Sequence, residues 1–398
     1  MIQSDSPQKV NSRPSLFLTI LLGTLSAFGP LSLDMYLPAL PDIQLSLHTS
    51  ATAVQASISA CLIGMAIGQL FIGPWSDRVG RRQPLMVGLA VFTLSSFALI
   101  FIHNIGLFLI VRIVQGLAGS AGQVLSRAIA RDLFDGVKLT RFYATLMTIN
   151  GVFPVIAPIL GAALVSLFPW QSVFVTLTII GVILVVTSLF GLPETSQVTH
   201  NQLEPLNFKA VFKNRLFMLN ASLLALVNGA LFTYIAASSF IFQKDFHLST
   251  TSFSLIYAFN GLGIALGAQL MGRLTGKTSD RNLTRWGFLI PIASSGLMLL
   301  NALTVNNFWL FTTALWIVVV SIGFNNGITT AIAMASTSTN IGTASAVLGT
   351  FSELVGGLAS PVVGLFGSTS SIPMISLIII FEIIGLILLG LTSVTTTN

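Results

Sequence analysis

Charge is what this sequence has least of. Asp, Glu, Lys and Arg make up 8% of its 398 residues, against 54% hydrophobic ones. A soluble domain carries about 25% charged residues, so a water-facing surface cannot be built and the chain reads as an integral membrane protein. A single cysteine excludes a disulfide framework and any Cys-based metal site. The four histidines are scattered, none in an HxxxH spacing, which argues against zinc. There is no Ser/His/Asp grouping for a membrane enzyme, and no GxxxxGK[ST] loop that would make ATP the energy source. No metal and no cofactor is expected.

Long apolar runs are what the sequence does have. A bilayer core about 30 Å thick needs about 20 apolar residues per helix. Stretches of that size recur near 15–40, 52–73, 84–102, 106–130, 142–167, 172–192, 216–241, 251–272, 286–303, 308–333, 343–366 and 372–394. These are twelve spans, and without water to satisfy backbone groups each must be helical, giving an all-α membrane fold. No small-residue cleavage site follows the first run, which therefore reads as a retained helix. With the N-terminus placed in the cytoplasm, 16 of the 18 basic residues fall on one side. They comprise Lys9, Arg13, Arg78, Arg81, Arg82, Arg127, Arg131, Lys138, Arg141, Lys209, Lys213, Arg215, Arg273, Lys277, Arg281 and Arg285. The net charge of +6 thus marks topology and contact with anionic lipid, not a nucleic-acid surface, and both termini are expected in the cytoplasm.

The longest hydrophilic break divides the chain into an N-terminal six-helix bundle (1–192), a cytoplasmic linker (193–215) and a C-terminal six-helix bundle (216–398). The halves echo each other at an offset of 199. Gly68, Gly73, Arg78 and Arg82 return as Gly267, Gly272, Lys277 and Arg281, while Asp77 returns as Gly276. Duplicated bundles around a central site are a transporter architecture, because rocking one against the other gives alternating access.

Several segments then carry a resemblance. Gly73-Pro-Trp-Ser-Asp77-Arg78-Val-Gly80-Arg81-Arg82 resembles the signature of the loop between helices 2 and 3 in the major facilitator superfamily. Asp34-Met-Tyr-Leu-Pro-Ala-Leu-Pro41 resembles the end of helix 1, and Arg112-Ile-Val-Gln115-Gly116 the helix 4 motif, of drug/proton antiporters of the bicyclomycin and chloramphenicol resistance type. Gly151-Val-Phe-Pro154-Val-Ile-Ala-Pro158-Ile-Leu-Gly161 resembles their helix 5 antiporter motif, departing from it where Phe153 takes the place of the usual Gly before Pro154. Trp170-Gln171 stands where a Trp-Arg pair is common. The resemblance spans the full length and implies two pseudo-symmetric bundles with proton-driven efflux. It also implies that Gly73, Asp77, Arg78, Gly80, Arg81 and Arg82 form a gating loop, Asp77 and Arg78 helping to stabilise the outward-open state.

Four ionisable residues lie inside apolar runs: Asp34, Arg112, Glu353 and Glu382. Each costs about 2.5–3.5 kcal/mol in hydrocarbon unless it has a partner, a proton or a wet cavity. At 1.5 Å per residue, Asp34 and Arg112 both lie about 9 Å below the outer interface, so a direct or water-bridged pair is expected. Arg112, Gln115, Gly119, Gln123 and Ser126 form one polar stripe that should face the bundle interior. A carboxyl whose hydration and cation contact change between two states binds a proton in one and releases it in the other. Asp34 is expected to titrate with Arg112 as its modulator, and Glu353, near mid-membrane, is expected in substrate or coupling work. Glu382, amid Ile and Leu, reads as a packing or oligomer contact.

Helix 5, with Gly151, Pro154, Pro158 and Gly161, offers a small-residue face for inter-bundle sliding. Candidate substrate contacts are Tyr36, Gln115, Asn150, Asn228, Tyr234, Tyr257, Asn260, Asn325 and Asn326. Their dispersed polar groups amid apolar residues suit varied amphipathic ligands. The function expected is proton-coupled efflux of hydrophobic drugs by a monomer in a bacterial inner membrane. The alternative is a proton-coupled transporter of one metabolite, a sugar or amino-acid derivative. A receptor or scaffold has no need of duplicated halves with buried charges.

Overall fold

The computed structural model describes residues 16–134, 136–195, 208–337, 341–365 and 370–392. Every regular element among them is helical. The order is α1 (Leu16–Asp34), α2 (Leu40–Ser46), α3 (Ala51–Val79), α4 (Arg82–Leu99), α5 (Ile105–Leu133), α6 (Gly136–Leu167) and α7 (Gln171–Gly191), then α8 (Phe208–Lys213), α9 (Arg215–Phe240), α10 (Thr250–Leu274), α11 (Asp280–Thr304), α12 (Phe308–Ala335), α13 (Ile341–Leu365) and α14 (Ile372–Thr392). Among the described residues eleven helices are long and apolar enough to span a bilayer. The described apolar part of α6, Val152–Leu167, belongs to the fifth expected span, 142–167.

Short polar side chains set where the helices begin. Ser50, Asn104, Asn214, Ser249 and Asn307 each accept a hydrogen bond from the backbone N–H three residues on. Such a cap satisfies one of the four orphan donors of a helix start. Within the first half α3 lies along α5, α4 meets α5 and α7, and α1 meets α5 and α6. The second half repeats this, with α10 along α12, α11 against α12 and α14, and α9 against α13. The shared glycine register explains the closest of these approaches. A Cβ on Gly68 would meet the Leu117 carbonyl of α5, and one on Gly267 would meet the Val320 carbonyl of α12. In both halves, backbone contact between the two helices requires a residue without a side chain. The halves face each other through α3 against α13 and α6 against α10, a pairing that respects the same pseudo-symmetry.

Three boundaries differ from the expected ones. The first span breaks at Asp34, continues as a 3-10 turn over Leu37–Ala39 and ends in α2. Pro38 and Pro41 account for the break, since neither can donate to a continuing helix. The second span does not stop at residue 73: α3 runs through Pro74 to Val79, so Gly73, Asp77 and Arg78 sit on a helix rather than in a loop. The turn itself is Gly80 and Arg81, with Gly80 at φ +94°. Likewise α5 extends past residue 130 to Leu133. Of the expected linker, residues 196–207 lie outside the described residues, and α8 lies within its remainder.

Candidate functional site

Between the halves lies a cavity of about 480 Å³, walled by α1, α3, α5 and α6 on one side and by α9, α10, α12 and α13 on the other. Its lining is mostly apolar, with Leu62, Met65, Leu231, Phe232 and Ile264 among it. Few polar groups interrupt that surface, and they come from both halves. Asp34, Gln69, Gln123 and Arg127 come from the first; Asn228, Tyr257, Asn326 and Glu353 come from the second. A cavity of this size and texture accommodates a drug-sized amphipathic molecule.

Asp34 stands on the wall at the last residue of α1 and is 7% exposed. Its Oδ1 accepts a hydrogen bond from the Tyr257 hydroxyl of α10 at 3.0 Å. Tyr257 is held in place by a near-parallel stack on Tyr234, with centroids 5.8 Å apart. The Tyr234 hydroxyl in turn accepts from Asn260 Nδ2 at 2.9 Å. Asp34 is thus read by the opposite half of the molecule, through an aromatic pair.

The expected direct pair with Arg112 is not what the structure shows. Arg112 is fully buried, and its guanidinium lies 4.3 Å from the Tyr36 ring centroid. It donates to Gln115 Oε1 and, at longer range, to the carbonyls of Ser57 at 3.4 Å and Ser32 at 3.5 Å. Its Nη2 has no hydrogen-bond partner. Among the described residues no carboxylate forms an ion pair with it. The reason is local: the break after Asp34 turns Tyr36 under the guanidinium, where cation–π attraction and carbonyls take the place of a counter-ion. Arg112 thus reaches the α1 backbone at the Ser32 carbonyl, while the Asp34 side chain is directed to Tyr257.

Glu353 on α13 also lies on the cavity wall. Its Oε1 accepts from Gln69 Nε2 of α3 at 2.6 Å, and the same Nε2 reaches Gln123 Oε1 at 3.2 Å. Gln69 and Arg127 carry site geometry that the sequence did not single out. Gln69 was not among the polar candidates, and Arg127 was counted with the cytoplasmic basic residues. Of the expected substrate contacts, Asn228, Tyr234, Tyr257 and Asn326 line the cavity, and Asn228 donates to Asn326 at 3.2 Å. Tyr36, Gln115, Asn150, Asn260 and Asn325 do not line it. Tyr36 exchanges a hydrogen bond with Ser57, Gln115 donates to Ser96 and Asn150 donates to Ser26. Asn325 is buried against Gly287. These five make their contacts outside the cavity lining.

Further hydrogen bonds join the halves at the end away from the α3–α4 turn. Ser239 donates to the Leu37 carbonyl at 2.7 Å and Gln243 to the Pro38 carbonyl at 3.2 Å. Thr52 donates to the Gly364 carbonyl at 2.5 Å, and Lys244 to Gln44. With Tyr257–Asp34 and Gln69–Glu353 deeper in, they close that end of the cavity. Of the helix 5 motif, Pro154 lines the cavity where α6 passes Gly261 of α10. Pro158 lies inside α6, and Gly161 sits against the Met35 carbonyl. Gly151 also falls within α6.

At the other end Arg81 is the hub. It is 6% exposed and pairs with Asp77 and, at 2.9 Å, with Asp132 of α5. Glu194, just past α7, accepts from the backbone N–H of Arg81 at 2.8 Å and of Arg82 at 3.0 Å. Its carboxylate thus caps the start of α4. A Cβ on Gly80 would run into that carboxylate. Arg82 also holds the Leu189 carbonyl at 2.6 Å, while Arg78 is exposed. Neither Asp132 nor Glu194 was expected here. Glu382, on α14, is 1% exposed, and neither of its carboxyl oxygens has a hydrogen-bond partner. Among the described residues no group of three or more His, Cys, Asp or Glu side chains could hold a metal ion.

Two like bundles of membrane-spanning helices around a shared cavity define a transporter, not an enzyme. The chain belongs to the Major Facilitator Superfamily, whose family model matches residues 20–361. It is 35% identical over 385 residues, 95% of this chain and 96% of the relative, to the uncharacterized MFS-type transporter YdgK of Bacillus subtilis (strain 168). It is 30% identical to a bicyclomycin resistance protein homolog of Haemophilus influenzae, covering 75% of this chain and 77% of that one. It is 27% identical to the multidrug transporter MdfA of Yersinia pestis, covering 89% and 88%. In fold it is similar to a bacterial homolog of the human lysosomal transporter Spinster in an inward-facing, unoccupied conformation. That match has a TM-score of 0.77 at 15% identity and covers 96% of this chain and 98% of that one.

Proposed function

We propose that the protein exports hydrophobic and amphipathic drugs by alternating access in exchange for protons, as a monomer in a bacterial inner membrane with both termini in the cytoplasm. Relatives named for bicyclomycin resistance and multidrug transport support the cargo class. The apolar, sparsely polar cavity supports it independently. In this orientation the basic α3–α4 turn faces the cytoplasm and the sealed end faces outward. The arginine network around Arg81 then serves as the latch on the cytoplasmic side.

The observation that carries the coupling is the position of Asp34. It lines the cavity and binds the opposite half through Tyr257, and on the neighbouring α5 a fully buried Arg112 has, among the described residues, no carboxylate partner and an unused Nη2. A carboxyl that leaves Tyr257 and turns to Arg112 exchanges a neutral donor for a cation, which favours loss of its proton. The same move breaks a bond between the halves. In proteoliposomes with an imposed pH gradient, Asp34→Asn is expected to abolish gradient-driven drug exchange while drug binding persists. Undiminished drug/proton exchange by that variant refutes the assignment.

A further inference from the structure

The cavity has a second carboxylate whose surroundings differ from those of Asp34. Glu353 Oε1 is engaged by Gln69, but Oε2 is buried with no hydrogen-bond partner. Gln69 is a neutral amide, and the cation that acts on Glu353 from across the cavity is Arg127. Arg127 lines the same cavity from α5, yet among the described residues it makes no ion pair with Glu353. A buried acceptor left open in this way is costly until a donor reaches it.

An aromatic ring lies close by. Phe232 of α9 lines the cavity and rests on Gly356, one turn along α13 from Glu353, where a Cβ would run into the ring. The missing side chain at Gly356 is what lets the ring lie that close to α13. A carboxylate and a ring face at adjacent turns attract a cation carried on an apolar body. Gln69 is well suited to yield its place, because its Nε2 keeps Gln123 Oε1 as a partner once it leaves Glu353.

We propose that Glu353 is the charge-selecting residue of the cavity. It takes the monocationic head of an amphipathic cargo against the Phe232 ring, and Gln69 occupies it when the cavity is empty. This rests on the reading that the cavity carries amphipathic molecules. It adds the sign of the charge, and it makes cargo entry release the Gln69–Glu353 bond between α3 and α13.

The test is equilibrium dialysis of purified full-length protein against two probes of like shape: methyltriphenylphosphonium, a cation, and triphenylphosphine oxide, which is neutral. The wild type is expected to prefer the cation. Glu353→Gln, nearly isosteric, is expected to weaken the cation about tenfold or more and leave the oxide unchanged. Retained oxide binding also reports an intact cavity. Gln69→Leu removes the internal competitor and keeps the carboxylate, so cation affinity is expected to hold or rise. The proposal is overturned if Glu353→Gln weakens both probes equally or neither, or if Gln69→Leu costs the cation as much as Glu353→Gln does. Oxide binding by the wild type with no preference for the cation overturns it while leaving the amphipath reading intact. Binding of neither probe removes that reading and this proposal together.

Discussion

Replacing Tyr257 by Phe isolates one hydrogen bond between the two halves. The variant keeps the ring and its stack on Tyr234 and removes only the hydroxyl that donates to Asp34 Oδ1 at 3.0 Å. A net hydrogen bond is worth about 0.5–1.5 kcal/mol when neutral and about 1.5–3 kcal/mol when one partner is charged. Taking about 1.4 kcal/mol, where those ranges meet, the loss is a factor of about ten in an equilibrium constant. The bond joins α1 to α10 and exists only while the halves are closed at this end. Its whole worth therefore falls on the balance between closed and open states. Cys61 is the sole cysteine and is buried, so Cys61→Ser provides a silent background. Leu40, wholly buried in α2 at the sealed end, is a suitable reporter as Leu40→Cys. In proteoliposomes the alkylation rate by a membrane-impermeant maleimide should rise about tenfold when Tyr257→Phe is added. A rate unchanged to within about twofold would show that this bond does not hold the halves together, since even the weakest hydrogen bond in the range exceeds that.

Two further perturbations test the supporting geometry. Gly80→Ala forces a side chain into a φ of +94° and against the Glu194 carboxylate. It should destabilise the protein by about 1–2 kcal/mol, seen as a lower melting temperature in detergent; an unchanged melting temperature would mean that neither strain nor crowding matters there. Arg112→Lys keeps the charge but loses the flat group that lies over Tyr36 and branches to Gln115, Ser57 and Ser32. Drug/proton exchange should fall about tenfold or more with the fold retained, and full exchange by the lysine variant would show that only the charge is needed.

What was legible in the sequence follows the range of the interaction. Span number and the duplication come from composition and local spacing, and the Gly68/Gly267 register proved to be the position where α3 meets α5 and α10 meets α12. Asp34 and Glu353 were singled out because a charge in an apolar run is expensive wherever it sits, and both line the cavity. Their partners were not legible. Tyr257 is 223 residues from Asp34, and Gln69 is 284 from Glu353. No local pattern pairs them. The asparagine candidates divide for a simpler reason: neighbours on a helix point about 100° apart, so Asn326 faces the cavity while Asn325 is buried against α11. Glu194 follows the last helix of the first half, and only the tertiary return of that segment to the start of α4 gives it a role.

The expectation of a direct or water-bridged pair between Asp34 and Arg112 is also the most informative. An equal depth estimated from the sequence does not decide which partner each charge holds. A fully buried guanidinium attended by carbonyls, an amide and a ring keeps its hydrogen bonds while its charge stays uncompensated, and that leaves a standing attraction for any nearby anion. Asp34 lies on the same helix as the Ser32 carbonyl that Arg112 touches, and its side chain is turned toward Tyr257. On the proposed mechanism these are two positions of one side chain. With Tyr257 it ties the halves and holds its proton; with Arg112 it frees them and gives the proton up. The free energy separating the positions is then set by one hydrogen bond against one ion pair whose attraction is largely offset by the cost of desolvating it. Opposing terms of similar size keep both positions populated, and that near-balance is what a carrier that cycles in both directions requires.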